Sequence, residues 1–263
     1  MTEEFDSQKR KFFQELVMTD IAVFKVHPKE LWERVERDGK TVWDWRNVSE
    51  HCLVVKARTL VLAKMLGLSE KMARKLGTAA VLHDIGKKGQ KKLVAKREFT
   101  YEAFDVAAKN LENQLRKLVS DNKIIEIAGS CGHEAILGTI LPILEKPVKE
   151  MTEFDWAKLI IFYVDGYTKG TEWTTPAETV DGIVINEVDR RTLMNMENQR
   201  YRAMNIPRAE WGGKSPYQVQ NEVTKKIEVL LTERANKHLK LSVNPLDLPT
   251  EVDDRIKSRI MAI

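Results

Sequence analysis

The stretch "VLHDIGKK", residues 81–88, places a histidine beside an aspartate at the end of an apolar segment. Burying an imidazole next to a carboxylate is costly unless a hydrogen bond, an opposite charge or a metal ion satisfies both groups. A glycine and two lysines, Lys87 and Lys88, follow directly, so positive charge adjoins the pair. The stretch therefore predicts a polar site at the end of a helix, with further members supplied by other parts of the chain.

The composition is typical of a folded globular protein. Of the 263 residues, 43% are hydrophobic and 31% are charged, which allows a large core and gives no indication of disorder. The longest uncharged apolar stretch, residues 135–144, is too short to span a bilayer, and the N-terminal segment lacks the apolar region of a signal peptide. Cys52 and Cys131 have no C-x-x-C spacing, and we expect both to be core residues in a reducing compartment. These features predict a cytoplasmic protein that does not interact with membranes.

Apolar residues recur mostly at helical spacing, so the predicted fold class is all-α. We expect an N-terminal helical addition over residues 1–46, a core over 47–170 and a C-terminal helical extension over 171–263. Only residues 181–188 have the pattern of a strand. The predicted helices cover 3–19, 28–39, 48–66, 69–84, 101–119, 122–133, 153–166, 186–204, 216–240 and 250–262.

Two further residues are candidates for the same site as the His83-Asp84 pair. His51 lies in the first turn of a long apolar helix, where a single histidine is more often a core residue with its hydrogen bonds satisfied. Asp165 ends the apolar run "LIIFYVD" and is expected to be buried, which requires a cation, several donors or an arginine partner. Two imidazoles and two carboxylates from three helices match the ligands of a hard to borderline divalent ion. The other two histidines outside the site region, His27 and His238, lie among polar residues and are expected to be exposed.

The segments "SEHCLVVKARTLVLAKMLGL", "KLGTAAVLHDIGKK" and "LIIFYVDGYTKG" resemble the HD superfamily of metal-dependent phosphohydrolases, whose pattern is H…HD…D on an all-helical core. The resemblance covers residues 47–167 and implies an HD-domain helical bundle. It also implies a divalent ion (Mn, Mg, Co, Ni, Fe or Zn) held by four ligands: His51, His83, Asp84 and Asp165. The implied substrate is a small phosphorylated compound of the nucleotide type.

Two departures from the family pattern refine this prediction. The deoxynucleotidase branch has a glutamate where this chain has Lys87, so the "HDIGK" form is more similar to the branch of cyclic-dinucleotide phosphodiesterases, HD endoribonucleases and dinucleoside tetraphosphate hydrolases. In "CGHEAI", residues 131–136, Gly132 replaces the first histidine of the motif that binds a second metal ion in cyclic-dinucleotide enzymes. We therefore expect a single ion, with His133 contacting the substrate or, as the alternative, acting as a fifth ligand.

The predicted mechanism is attack on phosphorus by a water molecule that the metal ion activates. Asp84 is expected to accept the proton of this water. Lys87, Lys88 and His133 are expected to stabilise the oxygens on which negative charge develops, and Arg46 is a candidate for a phosphate contact.

Other functions remain open at this point. The basic run at residues 87–97 and the pI of 8.9 favour a nuclease that binds nucleic acid, although no aromatic residues are interleaved with the lysines. A cyclic-dinucleotide phosphodiesterase and a non-catalytic HD signalling module are the further alternatives. An oligomer is compatible with the sequence, which contains nothing that fixes the number of subunits.

Overall fold

The structure, a computed structural model, describes residues 8, 34–37, 40–43, 48–86, 101–133, 135–170, 172–197 and 205–261. These residues form an all-α fold with two small antiparallel hairpins, so the predicted fold class is confirmed. None of the described helices combines the length and the apolar character that a membrane-spanning helix needs. The predicted helix at 3–19 lies almost entirely outside the described residues.

Nine α-helices and four strands are defined within the described ranges. The strands are β1 (Arg34–Arg37), β2 (Lys40–Trp43), β3 (Glu178–Val180) and β4 (Ile183–Ile185). The helices are α1 (Val48–Met65), α2 (Glu70–Leu82), α3 (Tyr101–Leu118), α4 (Asn122–Ala128), α5 (Leu141–Leu144), α6 (Glu153–Tyr167), α7 (Glu187–Glu197), α8 (Pro216–Leu239) and α9 (Leu248–Met261). A π-helix, Ile136–Ile140, leads into α5, and 3-10 turns occur at Val148–Glu150, Ala209–Trp211 and Pro245–Asp247.

The turn between α1 and α2 fixes two of the helices that carry the site. α1 ends before Gly67, which has a φ of +70°, the left-handed conformation that favours glycine after a helix. The side chain of Ser69 then accepts a hydrogen bond from the backbone N–H of Met72, which caps the start of α2. The predicted bounds of these two helices, 48–66 and 69–84, agree with the structure to within about two residues.

Replacing Gly67 by alanine is expected to destabilise the protein by about 1–2 kcal/mol, because an L side chain is strained at this φ. A Cβ at this position would also lie 2.6 Å from the imidazole of His238, which is exposed, as predicted, and would have to move. The measurement is the free energy of unfolding in urea. Gly138→Ala is the matched control, since a Cβ there meets nothing within 4 Å, and equal losses in the two variants would contradict the explanation.

The helix α6 passes through the centre of the core. Thr152 caps it in a reciprocal arrangement with Asp155, and most of its side chains are buried, as the apolar sequence predicted. Burial of all faces means that α6 has neighbours on every side. Asp165 lies in the last turn of this helix, so its carboxylate is carried by an element that packs against other helices along most of its length.

The region after residue 170 shares the hydrophobic core with the region before it. Ile227 and Leu231 of α8 and Val252 and Ile256 of α9 belong to the same buried cluster as α1, α2 and α6. The three-part division at residues 46 and 170 stays a prediction, but the described part of the C-terminal extension packs directly on the helices of the site.

A buried ion pair connects α1 to α9. Arg58 donates from Nε and Nη2 to the two carboxylate oxygens of Asp253, at 2.8 and 2.7 Å, in a bidentate arrangement. The side chains of both residues are at most 1% exposed. Arg58 also donates to the hydroxyl of Thr168, and Thr174 donates to Asp253 from its N–H and its hydroxyl. The pair is therefore surrounded by hydrogen bonds, which is the condition for a stable buried charge.

A second buried carboxyl group, on α8, contacts α6 and Asn186, the residue that precedes α7. Glu228 accepts hydrogen bonds from the hydroxyl of Tyr163 at 2.7 Å and from the side-chain amide of Asn186 at 2.9 Å. Burial nevertheless raises the pKa of Glu228 to about 7. The group is therefore close to its midpoint of ionisation at neutral pH.

The predicted helix over 28–39 is wrong in its described part, because residues 34–37 form a strand that pairs antiparallel with residues 40–43. Asp38-Gly39, the dipeptide between the strands, is a strong hairpin signal that the helical interpretation treated only as a helix end. The helix predicted at 122–133 ends at Ala128, where Gly129 follows. The predicted strand region 181–188 contains β4, which pairs with β3 across Asp181-Gly182, both with positive φ.

Candidate metal centre

Three helices bring the predicted ligands to one place. His51 lies in the first turn of α1, His83 is the C-terminal cap of α2, and Asp165 lies in the last turn of α6. Asp84 follows His83 in the turn after α2. The four residues predicted from the sequence to form a site are therefore together in space.

The centre of the cluster is one carboxylate oxygen. Nε2 of His51 is 3.1 Å from Oδ1 of Asp165, and Nε2 of His83 is 3.2 Å from the same oxygen. The two imidazole rings are 5.4 Å apart between centroids and tilted by 55°. Two ring nitrogens from different helices thus point at the same oxygen, an arrangement that a small cation between them would also satisfy.

Asp84 adds a second carboxylate at a slightly larger distance. Its Oδ2 is 3.8 Å from Nε2 of His51, and its Oδ1 is 3.8 Å from Nε2 of His83. These distances exceed normal hydrogen bonds and leave room for a group between the atoms. The side chain of Asp84 is 13% exposed, so the site opens towards solvent on its side.

A backbone hydrogen bond fixes the orientation of His83. Nδ1 of its ring lies 2.7 Å from the backbone carbonyl oxygen of Ala80, to which it donates. This contact leaves Nε2 as the nitrogen that faces Asp165. Histidines that bind metal ions are usually oriented in this way by a carbonyl or carboxylate on the other nitrogen.

The carboxylates and the burial of the site determine its protonation. Burial lowers the pKa of His51, although its hydrogen bond to Asp165 acts in the opposite direction. Burial also disfavours the charged form of His83, but Asp84 and Asp165 outweigh this effect and hold the pKa of His83 well above its ordinary value. The two imidazoles hold the pKa of Asp165 well below its ordinary value despite burial. Without a metal ion these shifts favour protonation of His83 over protonation of His51, and a metal ion binds only an imidazole nitrogen that carries no proton.

The residues fit a divalent metal ion. One donor atom from each of His51, His83 and Asp165 lies within 4.8 Å of the others, and the donors are two imidazole nitrogens and a carboxylate oxygen. This set suits borderline and hard divalent ions, and Asp84 is close enough to join it. The side chain of Asp165 was expected to be buried but is 21% exposed. The carboxylate lies at the mouth of the site because it is in the last turn of α6, where the core ends.

His133 is 8% exposed and is near enough to Asp165 for that carboxylate to affect its pKa. Its ring packs edge-to-face on Tyr217 of α8, with 4.8 Å between centroids, and its Nδ1 is buried without a hydrogen-bond partner. Burial lowers the pKa of His133 to about 4, although Asp165 and the backbone of Pro216 act in the opposite direction. The imidazole is therefore uncharged at neutral pH and offers hydrogen bonds but no positive charge.

The stability of the protein should depend on His133 in acid. The unfolded chain binds a proton at the ordinary pKa of 6.5 and the folded protein only near pH 4, so this group makes stability fall as the pH is lowered from 6.5 to 4. The contribution lost is at most about 3 kcal/mol. Urea unfolding of His133→Gln should show a smaller loss over this pH range than the unmodified protein, and an identical pH dependence in the two proteins would contradict the lowered pKa.

Three predicted site residues cannot be placed. Arg46, Lys87 and Lys88 lie outside the described residues, as does the whole basic run at 87–97. Their predicted contacts with phosphate stay predictions.

Sequence reasoning missed two residues of the site region. Cys52 was expected to be a core residue and is fully buried, but its sulfur also lies 3.9 Å from Nδ1 of His83. Its position directly after His51 was the only signal available. Tyr217 could not be connected with His133, because the contact joins parts of the chain that are far apart in sequence.

No protein-family model, curated protein or solved structure matches the chain.

Proposed function

We propose that the protein is a metal-dependent phosphohydrolase of the HD superfamily, which hydrolyses a phosphomonoester or phosphodiester bond of a nucleotide-like substrate. The observation that supports this proposal is the convergence of His51 and His83 on Oδ1 of Asp165, with Asp84 3.8 Å from both imidazoles. Three separate helices supply these groups, which is the arrangement expected from the H…HD…D pattern.

The proposed ligands of the divalent ion are His51, His83, Asp84 and Asp165. When bound, such an ion lowers the pKa of a water molecule and offsets negative charge on a phosphoryl group. The donor set is anionic, since the pKa of Asp165 is held well below its ordinary value. Asp84 has the role of accepting a proton from the attacking water, because its carboxylate is near both imidazoles and partly exposed to solvent.

Residues outside the proposed ligand set have further roles in the proposal. His133 is buried and uncharged at neutral pH, so its role is to form a hydrogen bond with the substrate and not to neutralise a phosphate. The positive charge that phosphate binding requires is assigned to Lys87 and Lys88, which follow the described turn 83–86 in the sequence, and to Arg46.

The test is hydrolysis of a panel of mono- and dinucleotides, an aryl phosphate and short single-stranded RNA, with Mn²⁺, Co²⁺ or Mg²⁺ added to metal-free protein. We expect metal-dependent release of phosphate or of a nucleotide, and loss of turnover in Asp84→Asn. Asp181→Asn is the matched control, because Asp181 is an exposed aspartate in the turn of the β3–β4 hairpin. Full turnover in Asp84→Asn, or hydrolysis that does not depend on the metal, would contradict the proposal. Cleavage of RNA alone would favour the nuclease alternative.

A further inference from the structure

A second set of metal-binding side chains overlaps the first. One donor atom from each of Cys52, His83 and Asp84 lies within 4.8 Å of the others. The first set, His51, His83 and Asp165, contains only nitrogen and oxygen donors, whereas the second contains a thiol. His83 is common to both sets, and Asp84 lies near His51 as well.

The position of Cys52 follows from the geometry of α1. Consecutive residues of an α-helix point about 100° apart, so His51 and Cys52 approach His83 from different directions. His51 and Asp165 lie at Nε2 of the His83 ring, and the sulfur of Cys52 lies 3.9 Å from Nδ1. The side chain of Cys52 is fully buried, while those of Asp84 and Asp165 are partly exposed, so an ion would enter from the carboxylate side.

We propose that Cys52 is the ligand of a thiophilic divalent ion such as Zn²⁺, which it binds together with Asp84 and Nε2 of His83, because Nδ1 of the same ring donates its proton to the carbonyl of Ala80. Thiolates select soft and borderline ions, whereas carboxylates and water favour Mg²⁺ and Mn²⁺. The cysteine loses its proton when the ion binds, and the anionic sulfur then offsets the charge of the ion in a buried place. The site therefore has two alternative ligand sets, and the metal ion determines which of them is used.

The overlap has a regulatory consequence, which rests on the proposed function. An ion held by Cys52 takes His83 and Asp84 out of the set that supports hydrolysis. Zinc at this position therefore inhibits the enzyme, and a hard ion such as Mn²⁺ competes with it for the two shared residues.

The test uses Cd²⁺, a thiophilic analogue of Zn²⁺, added to the reduced full-length protein after the reductant has been removed. We expect the ultraviolet charge-transfer absorption of a cadmium thiolate with the intensity of a single sulfur ligand. The chain has only two cysteines, so Cys131→Ser is a matched control that should keep the band, whereas Cys52→Ser should lose it. A band that persists in Cys52→Ser, or that disappears in Cys131→Ser, would overturn the proposal.

The affinities of Cys52→Ser for Zn²⁺ and Mn²⁺ provide a second measurement. Loss of a residue that only supports a metal ligand lowers metal affinity by about 10–100-fold. Because Cys52 is proposed as a direct ligand, Cys52→Ser should lower the affinity for Zn²⁺ by at least about tenfold. The affinity for Mn²⁺ should change by less than about threefold, because the nitrogen and oxygen set is intact. Equal changes for the two ions would show that Cys52 is only a packing residue. X-ray absorption of the zinc-loaded unmodified protein, which needs no substitution, should show one sulfur ligand, and its absence would refute the assignment.

The test of the thiol site and the test of the proposed hydrolysis can give different results. Asp165→Asn removes a ligand of the first set only, so the cadmium thiolate band should persist in this variant. If the band is present but the protein hydrolyses no phosphoester, the thiol site stands and the phosphohydrolase proposal fails. If hydrolysis is metal-dependent but no band forms, only the thiol site fails.

Discussion

Asp165→Asn is expected to weaken the binding of Mn²⁺ by at least about 100-fold. The carboxylate oxygen Oδ1 is the atom on which His51 and His83 both converge, at 3.1 and 3.2 Å, so the substitution removes the charge at the centre of the donor set. Asparagine has nearly the same shape, and the change therefore tests charge and not packing. Loss of a supporting residue alone costs about 10–100-fold, so a direct ligand should cost more.

Calorimetric titration of the metal-free protein and elemental analysis after dialysis measure this effect. The unmodified protein should retain one ion per chain and Asp165→Asn should retain almost none. The variant Asp181→Asn, which changes an exposed aspartate in the β3–β4 turn, should bind as the unmodified protein does. Unchanged affinity in Asp165→Asn would mean that the cluster is a hydrogen-bonded structural group, which is the alternative considered from the sequence.

Asp253→Ala is expected to reduce the free energy of unfolding by about 3–5 kcal/mol, because it leaves the guanidinium of Arg58 buried without a counter-charge. The bidentate pair is at most 1% exposed, so water cannot replace the lost carboxylate. Thr174 loses the acceptor of its N–H and its hydroxyl in the same variant. A loss of this size is a large fraction of the stability of most domains.

Urea unfolding measures this change, and α9 itself offers the control. Glu251 and Arg255 form an ion pair one turn apart on α9, with side chains 31% and 37% exposed, and Glu251→Ala should cost less than about 1 kcal/mol. The double variant Arg58→Met, Asp253→Leu should recover part of the loss, since a buried pair replaced by apolar residues is often neutral. A loss in Asp253→Ala as small as that in Glu251→Ala would mean that the pair contributes little.

The helices could be predicted because their signals are local. The spacing of apolar residues in α2 is periodic over a few turns, and α6 contains an unbroken apolar run. Gly67 and Ser69 mark an end and a start that depend only on neighbouring residues. Residues 34–37 were predicted as part of the helix 28–39, because the choice between helix and strand there depends on pairing with residues 40–43, which no local pattern encodes.

The sequence could predict which residues form the candidate site, but not how they are arranged. Polar residues at the ends of apolar helices are noticeable in a sequence, which identified His51, His83, Asp84 and Asp165. Their distances, the exposure of Asp165 and the approach of Cys52 depend on how three helices pack. No local pattern encodes such packing, since the residues that determine it are distributed over the whole core.

The Arg58–Asp253 pair also affects when the core can form during synthesis of the chain. The two partners are 195 residues apart, so Arg58 leaves the ribosome long before the carboxylate that neutralises it has been synthesised. Until then a guanidinium in the middle of α1 has to remain hydrated, and the apolar residues around it cannot close fully. Completion of the core next to the histidine and aspartate ligands is therefore a late event in biosynthesis, and a nascent chain that ends before Asp253 should depend on chaperones to remain unaggregated.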